Sequence, residues 1–147
     1  MAIEIRRLIF SHSESTAAVR EYGNKNNVSF PDGKIIRARF TGTAEYEFHS
    51  MKDFKSPIQG DYNVKDSPRA VTLTFFDEKT LEQKFYNLTA DFVSSALIEY
   101  SIANKIMLPK QAEKRLDVTE FNICLDINME NPTEGDKANQ GLTLDDE

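Results

Sequence analysis

The chain has 147 residues, 39% of them hydrophobic and 10% aromatic, which fits one domain able to bury a core without cross-links. No apolar run approaches the ~20 residues that span a bilayer. Of the net charge of −6, residues 130–147 carry six acids and one base (−5), leaving 18 acids and 17 bases (−1) elsewhere, a field too weak to draw nucleic acid or an anionic membrane.

The opening MAIEIRRLIF lacks the basic, long-apolar and cleavage segments of a signal peptide. Its β-branched and apolar residues predict a strand, with a bulge at Arg6–Arg7 where the alternation slips. Ser11 and Glu14 then have capping-box spacing. The helix they start is expected over about 13–26, with Ala18, Val19 and Tyr22 as its apolar stripe. Gly23 weakens it by about 1 kcal/mol relative to alanine.

Pro31-Asp32-Gly33 marks a turn. After it, Ile36, Ala38 and Phe40 alternate with Ile35, Arg37 and Arg39, the pattern of a half-buried strand. The stretch AEYEFH alternates again and predicts a hairpin with it, Glu45 and Glu47 facing Arg37 and Arg39. Residues 49–69 break every period and read as a long irregular connection of the kind that carries function. AVTLTFF and LEQKFYNL, joined across Asp77–Thr80, predict a second hairpin.

Thr89 caps a second helix, on which Phe92, Ala96, Tyr100 and Ala103 recur at helical spacing. RLDVTEFNICLDINM follows as strand, with Phe121, Ile123, Leu125 and Ile127 on one face. Residues 130–147 are acidic and nearly devoid of apolar side chains, the composition of a disordered tail.

The second helix echoes the first. Shifted by 78 positions, Ala18, Glu21, Tyr22, Asn26 and Pro31 meet Ala96, Glu99, Tyr100, Asn104 and Pro109. The expected fold is therefore α+β: an antiparallel or mixed sheet of six or seven strands with two helices, in pseudo-symmetric halves over about 3–48 and 70–129 of one domain, 1–129. IFSHSE…EY…FPDGK and EY…LPKQAEK together resemble a strand–helix–φP–strand pattern of small bacterial proteins without a defined family. That resemblance implies no activity.

Chemistry-bearing residues are sparse. Glu99 and Tyr100, like Glu21 and Tyr22, are neighbours that point about 100° apart on a helix, so tyrosine is expected in the core and glutamate at the surface. Asn26 and Asn104 suit left-handed helix ends. The two histidines, His12 and His49, lie 37 residues apart and make no metal site. The single cysteine, Cys124, excludes an internal disulfide and fits a reducing, cytoplasmic setting. Lys34, Arg37, Arg39, Lys52, Lys55, Lys114 and Arg115, with Phe54 and Tyr62, form a basic, aromatic set that charge pairing explains more simply than single-stranded nucleic acid. Neither G-x-x-x-x-G-K-[ST] nor G-x-G-x-x-G occurs, so no nucleotide or other cofactor is expected.

One difference between the helices stands out. Arg20 and Asn24 correspond to Ile98 and Ile102, one turn apart, and an apolar pair there implies a second contact surface. The leading expectation is a non-enzymatic binding or assembly module that meets a protein partner or a second copy through Ile98, Ile102 and the 49–69 loop. The alternative is a small-molecule-binding protein or cofactor-free enzyme with a pocket between the second helix and the sheet, lined by Glu99, Tyr100 and His49.

Overall fold

The structure is a computed structural model describing residues 3–43, 62–66 and 68–130. Among these the order is β1 (Ile3–Ser11), α1 (His12–Lys25), β2 (Gly33–Thr43), β3 (Arg69–Asp77), β4 (Glu82–Thr89), α2 (Ala90–Ala103), β5 (Glu113–Val118) and β6 (Asn122–Glu130). The expected partner strand around 44–48, most of the 49–69 connection, His49, Glu45, Glu47 and residues 131–147 lie outside the described residues.

The class is α+β, but the six strands form two three-stranded antiparallel sheets, β1-β6-β5 and β2-β3-β4, where the sequence led us to expect one. The helices are the physical reason. α1 carries the chain from an edge of the first sheet to an edge of the second, and α2 carries it back. The inner faces of both sheets and both helices then share one core cluster, including Phe10, Val19, Leu73, Phe75, Leu97 and Leu125. No described helix is long and apolar enough to cross a membrane.

The helices are equal in length, and their bounds differ by 78 at both ends (12 + 78 = 90, 25 + 78 = 103). Their exits share two bonds. Val28 N–H donates to Gly23 O and Ile106 N–H to Ser101 O, both at 2.8 Å. Asn26 and Asn104 each donate their side-chain amide to the carbonyl four residues back, Tyr22 O and Tyr100 O, again at 2.8 Å. The left-handed residue is the next one in each case, Asn27 (φ 62°) and Lys105 (φ 66°), a correction to the expected role of the asparagines.

The ladders match in the same way. Leu73 of β3 faces Ala38 and Tyr86, while Leu125 of β6 faces Leu116 and Leu8. The flanking residues are again 78 apart (38 + 78 = 116, 8 + 78 = 86).

Several local expectations need correcting. β1 pairs with β6 in unbroken register, so no bulge lies at Arg6–Arg7; Ile5 and Ile9 simply face outward, 66% and 60% exposed. Irregularities fall in β2 instead, between Ile35 and Arg37 and between Phe40 and Gly42. The first turns Ile35 inward beside Ala38 and leaves Ile36 exposed, inverting that part of the expected alternation. Arg37 and Arg39 face Thr74 and Thr72 across the ladder to β3. Ile123, Leu125 and Ile127 are fully buried, but Phe121 sits in the turn before β6 and is 70% exposed.

Candidate functional site

Two concavities meet at Tyr100. The first is a cleft of about 150 Å³ between the helices, lined by Ala18, Glu21, Tyr22 and Lys25 of α1 and Ala96, Glu99, Tyr100 and Ala103 of α2. The echoed residues therefore face each other, with Ala18 and Ala96 letting the helices approach. Lys25 Nζ donates to Glu99 Oε1 at 2.6 Å across the cleft. That carboxylate raises the lysine pKa above its ordinary value. Burial raises the pKa of the Tyr22 phenol, which keeps it neutral.

The second is a hollow of about 360 Å³ beside β1, lined by Arg7, Leu8, Ile9 and Phe10 of that strand, Glu14 of α1, and Tyr100, Asn104 and Ile106 at the exit of α2. β1 is an edge of its sheet, and the hollow runs along residues 7–10 of it. The Tyr100 and Phe10 rings meet edge-on, centroids 6.3 Å apart and planes at 71°. Arg7 is held on the rim: Nε donates to Asp126 Oδ1 at 2.7 Å, and one terminal nitrogen donates to Asp126 Oδ2 and Asp117 Oδ2. The Asp126 bond, then the Asp117 bond, raises the guanidinium pKa further. Arg6 Nη1 donates to Met107 O at 3.1 Å, tying β1 to the chain leaving α2. Ile9 on the hollow and Met107 beside it are 60% and 83% exposed.

The sequence-predicted residues divide accordingly. Glu99 and Tyr100 do line a pocket, but it lies between the two helices, and Tyr100 also reaches the hollow. Ile98 is 1% exposed within the core and has no surface to offer a partner, whereas Ile102 is 52% exposed. Ile98 is apolar because it lies in the core. Its counterpart Arg20 instead donates to Pro31 O at 2.6 Å and Gly33 O at 2.8 Å. Burial raises the Cys124 pKa, which leaves a poor nucleophile.

Sequence reasoning missed two features. Lys114, expected on the surface, is fully buried and donates its ammonium to Pro109 O, Lys110 O and Ala112 O at 2.8, 2.9 and 2.8 Å. Segment 62–66 docks beside it through Lys65 N–H to Lys114 O and Lys114 N–H to Asn63 O. The hollow was missed too. Its signal was the pair Glu14 and Phe92, also 78 apart, one polar and one aromatic at the same helical position. Among the described residues no three His, Cys, Asp or Glu side chains gather as a metal site. Compared with family models, curated proteins and solved structures, the chain matches none.

Proposed function

We propose that the chain is a non-enzymatic binding or assembly module, made of two copies of one strand–helix–strand–strand unit, β1-α1-β2-β3 and β4-α2-β5-β6, divided after β3 rather than in the 49–69 connection as the sequence suggested, whose contact surface is the corner where the edge of β1 meets the exit of α2. The two-copy reading is supported by the equal helix bounds, the repeated exit bonds and the matched ladders. Each unit lends an edge strand to the sheet of the other, so neither sheet is complete without both.

The observation that carries the contact surface is the hollow along an edge strand with exposed Ile9 on it and exposed Met107 beside it. Large apolar side chains around a concavity are the usual mark of a surface that a partner desolvates. The neighbouring Ile5 extends the apolar row along β1. A reducing, cytoplasmic setting goes with this reading, supported by the single buried cysteine.

The test is capture by the full chain from a lysate, alongside Ile5→Ser/Ile9→Ser and Met107→Ser, with circular dichroism to show that the variants fold. A partner, or a second copy, held by the wild type and lost at least tenfold in the variants is the expected result. Equal capture by the folded variants places the contact elsewhere and ends this reading.

A small-molecule reading rests on one observation, the partly open helix–helix cleft with its acids, phenols and lysine. At about 150 Å³ it holds a group no larger than a benzene ring. A metabolite that raises the melting temperature of the wild type but not of Glu99→Gln supports it.

A further inference from the structure

Each sheet has two edge strands, and three of the four are guarded against pairing with another chain. The β5 edge carries segment 62–66, bridged at Val64 and Lys114. β2 is broken by register shifts after Ile35 and after Phe40. β4 presents polar Gln83 and Asn87 at the positions that the shift of 78 matches to Ile5 and Ile9 of β1. β1 has none of these devices. It runs nine residues in unbroken register with β6, without proline, and carries exposed Ile5 and Ile9. Among the described residues no strand lies on its other side. A long, regular, apolar edge is a template for another strand.

The ladder shows which groups that edge offers. Asn122 of β6 turns its backbone toward the β5 side: its N–H donates to Thr119 Oγ1 at 3.1 Å, and its carbonyl accepts from Thr119 N–H at 2.9 Å. Its β1 partner Ser11 therefore points away from β6, and Ser11 N–H is taken by Glu14 Oε1 at 2.9 Å. Backbone direction alternates along an antiparallel strand, so Ile5, Arg7 and Ile9 turn their N–H and C=O to the open edge. These three residues are symmetric about Arg7. A two-fold axis there pairs β1 antiparallel with β1 of another chain, sets Ile5 opposite Ile9 in both directions, and lets each such pair exchange both backbone bonds.

We propose that the partner at this corner is a second copy of the chain, joined β1 to β1 into one continuous sheet, β5-β6-β1-β1-β6-β5. Charge complements the backbone. Arg6 lies on the hollow side of β1, where its Nη1 donates to Met107 O at 3.1 Å. Glu14 lines the hollow and accepts from Ser11 N–H. Among the described residues neither side chain has an ion pair. In the two-fold register Arg6 falls opposite Leu8 of the copy, on the wall of the hollow that holds Glu14 of the copy, and the symmetry repeats this contact. Arg7 meets Arg7 of the copy on the outer face. Each guanidinium there is already bound to Asp126 and Asp117 of its own chain, which offsets the repulsion.

The inference rests on the corner being a contact surface, and the experiment separates the two. Sedimentation equilibrium of the full chain, from micromolar to millimolar, is expected to show the mass rising with concentration from 16.8 kDa to twice that. Arg6→Glu sets acid against acid and Glu14→Arg sets base against base, so each alone raises the dimer dissociation constant at least tenfold. Mixed, the two variants associate at least tenfold more tightly than either alone, because every contact between them joins opposite charges. Ile9→Pro removes an N–H that the chain's own sheet does not use; it is expected to be monomeric, and it serves should Glu14→Arg lose its helix cap and not fold. A wild type that stays monomeric throughout, a dimer that folded Arg6→Glu and Ile9→Pro leave unchanged, or a mixture of folded variants no tighter than its parts overturns the proposal. A monomeric wild type that still captures a different protein from lysate, with capture lost in Ile5→Ser/Ile9→Ser, would leave the contact surface standing without the second copy.

Discussion

At Gly23 two residue-scale preferences oppose each other. Helix propensity favours alanine by about 1 kcal/mol. A Cβ there would meet Val28 O at 2.6 Å and Phe30 Cε2 at 2.7 Å. Val28 is fixed by its bond to Gly23 O, and Phe30 is stacked on Phe75 with centroids 5.4 Å apart, so neither yields cheaply. Overpacking of this kind costs about 1–3 kcal/mol. Gly23→Ala is expected to destabilise by up to about 2 kcal/mol once the propensity gain is subtracted, seen as a lower urea midpoint at unchanged slope. His12 gives a pH dependence. Its Nε2 is buried without a hydrogen-bond partner, and burial lowers its pKa below 6.5. The unfolded chain therefore binds more protons than the folded one between the folded pKa and 6.5. The stabilisation from His12 is complete above pH 6.5 and is lost as the pH falls through the folded value. Urea midpoints measured from pH 8 to pH 4.5 should fall less steeply in His12→Gln than in the wild type.

At the scale of elements, the helices were legible because their signals are local. Ser11 with Glu14 forms the expected capping box, and Thr89 Oγ1 accepts from Phe92 N–H as a cap should. Thr89→Ala should cost about 1 kcal/mol. Asn26→Ala and Asn104→Ala should each cost about 0.5–1.5 kcal/mol, and by similar amounts, because both lose the same bond to a tyrosine carbonyl. Thermal denaturation of the two variants side by side checks this. The inward face of β2 was not legible. Ile35 and Ile36 are equally apolar, and which one turns inward depends on a shift in the ladder to β3, a strand about 40 residues away. The division into two sheets was hidden for the same reason: periodicity identifies strands but not their partners.

At the scale of the whole molecule, both sheets and both helices contribute to one core cluster. Leu73→Ala and Leu125→Ala, at the centres of the two sheets, should each cost about 2–5 kcal/mol and unfold the chain in one transition, with circular dichroism and tyrosine fluorescence coincident. Two separate transitions, one for each sheet, would contradict a single shared core. The candidate site was half legible. The echo pointed to Glu99 and Tyr100, but the hollow needs β1 and the exit of α2 side by side, some 95 residues apart in sequence. Lys114 was unreadable because its partners are backbone carbonyls, which every residue has.

The most direct test of the central claim is hydrogen exchange of the full chain, alone and with any protein or second copy that the capture experiment returns. Slowed exchange confined to residues 5–10 and 100–107, the strand edge and helix exit around the hollow, is the predicted result. Unchanged exchange there, with protection instead at the outer face of the β2-β3-β4 sheet, would contradict it.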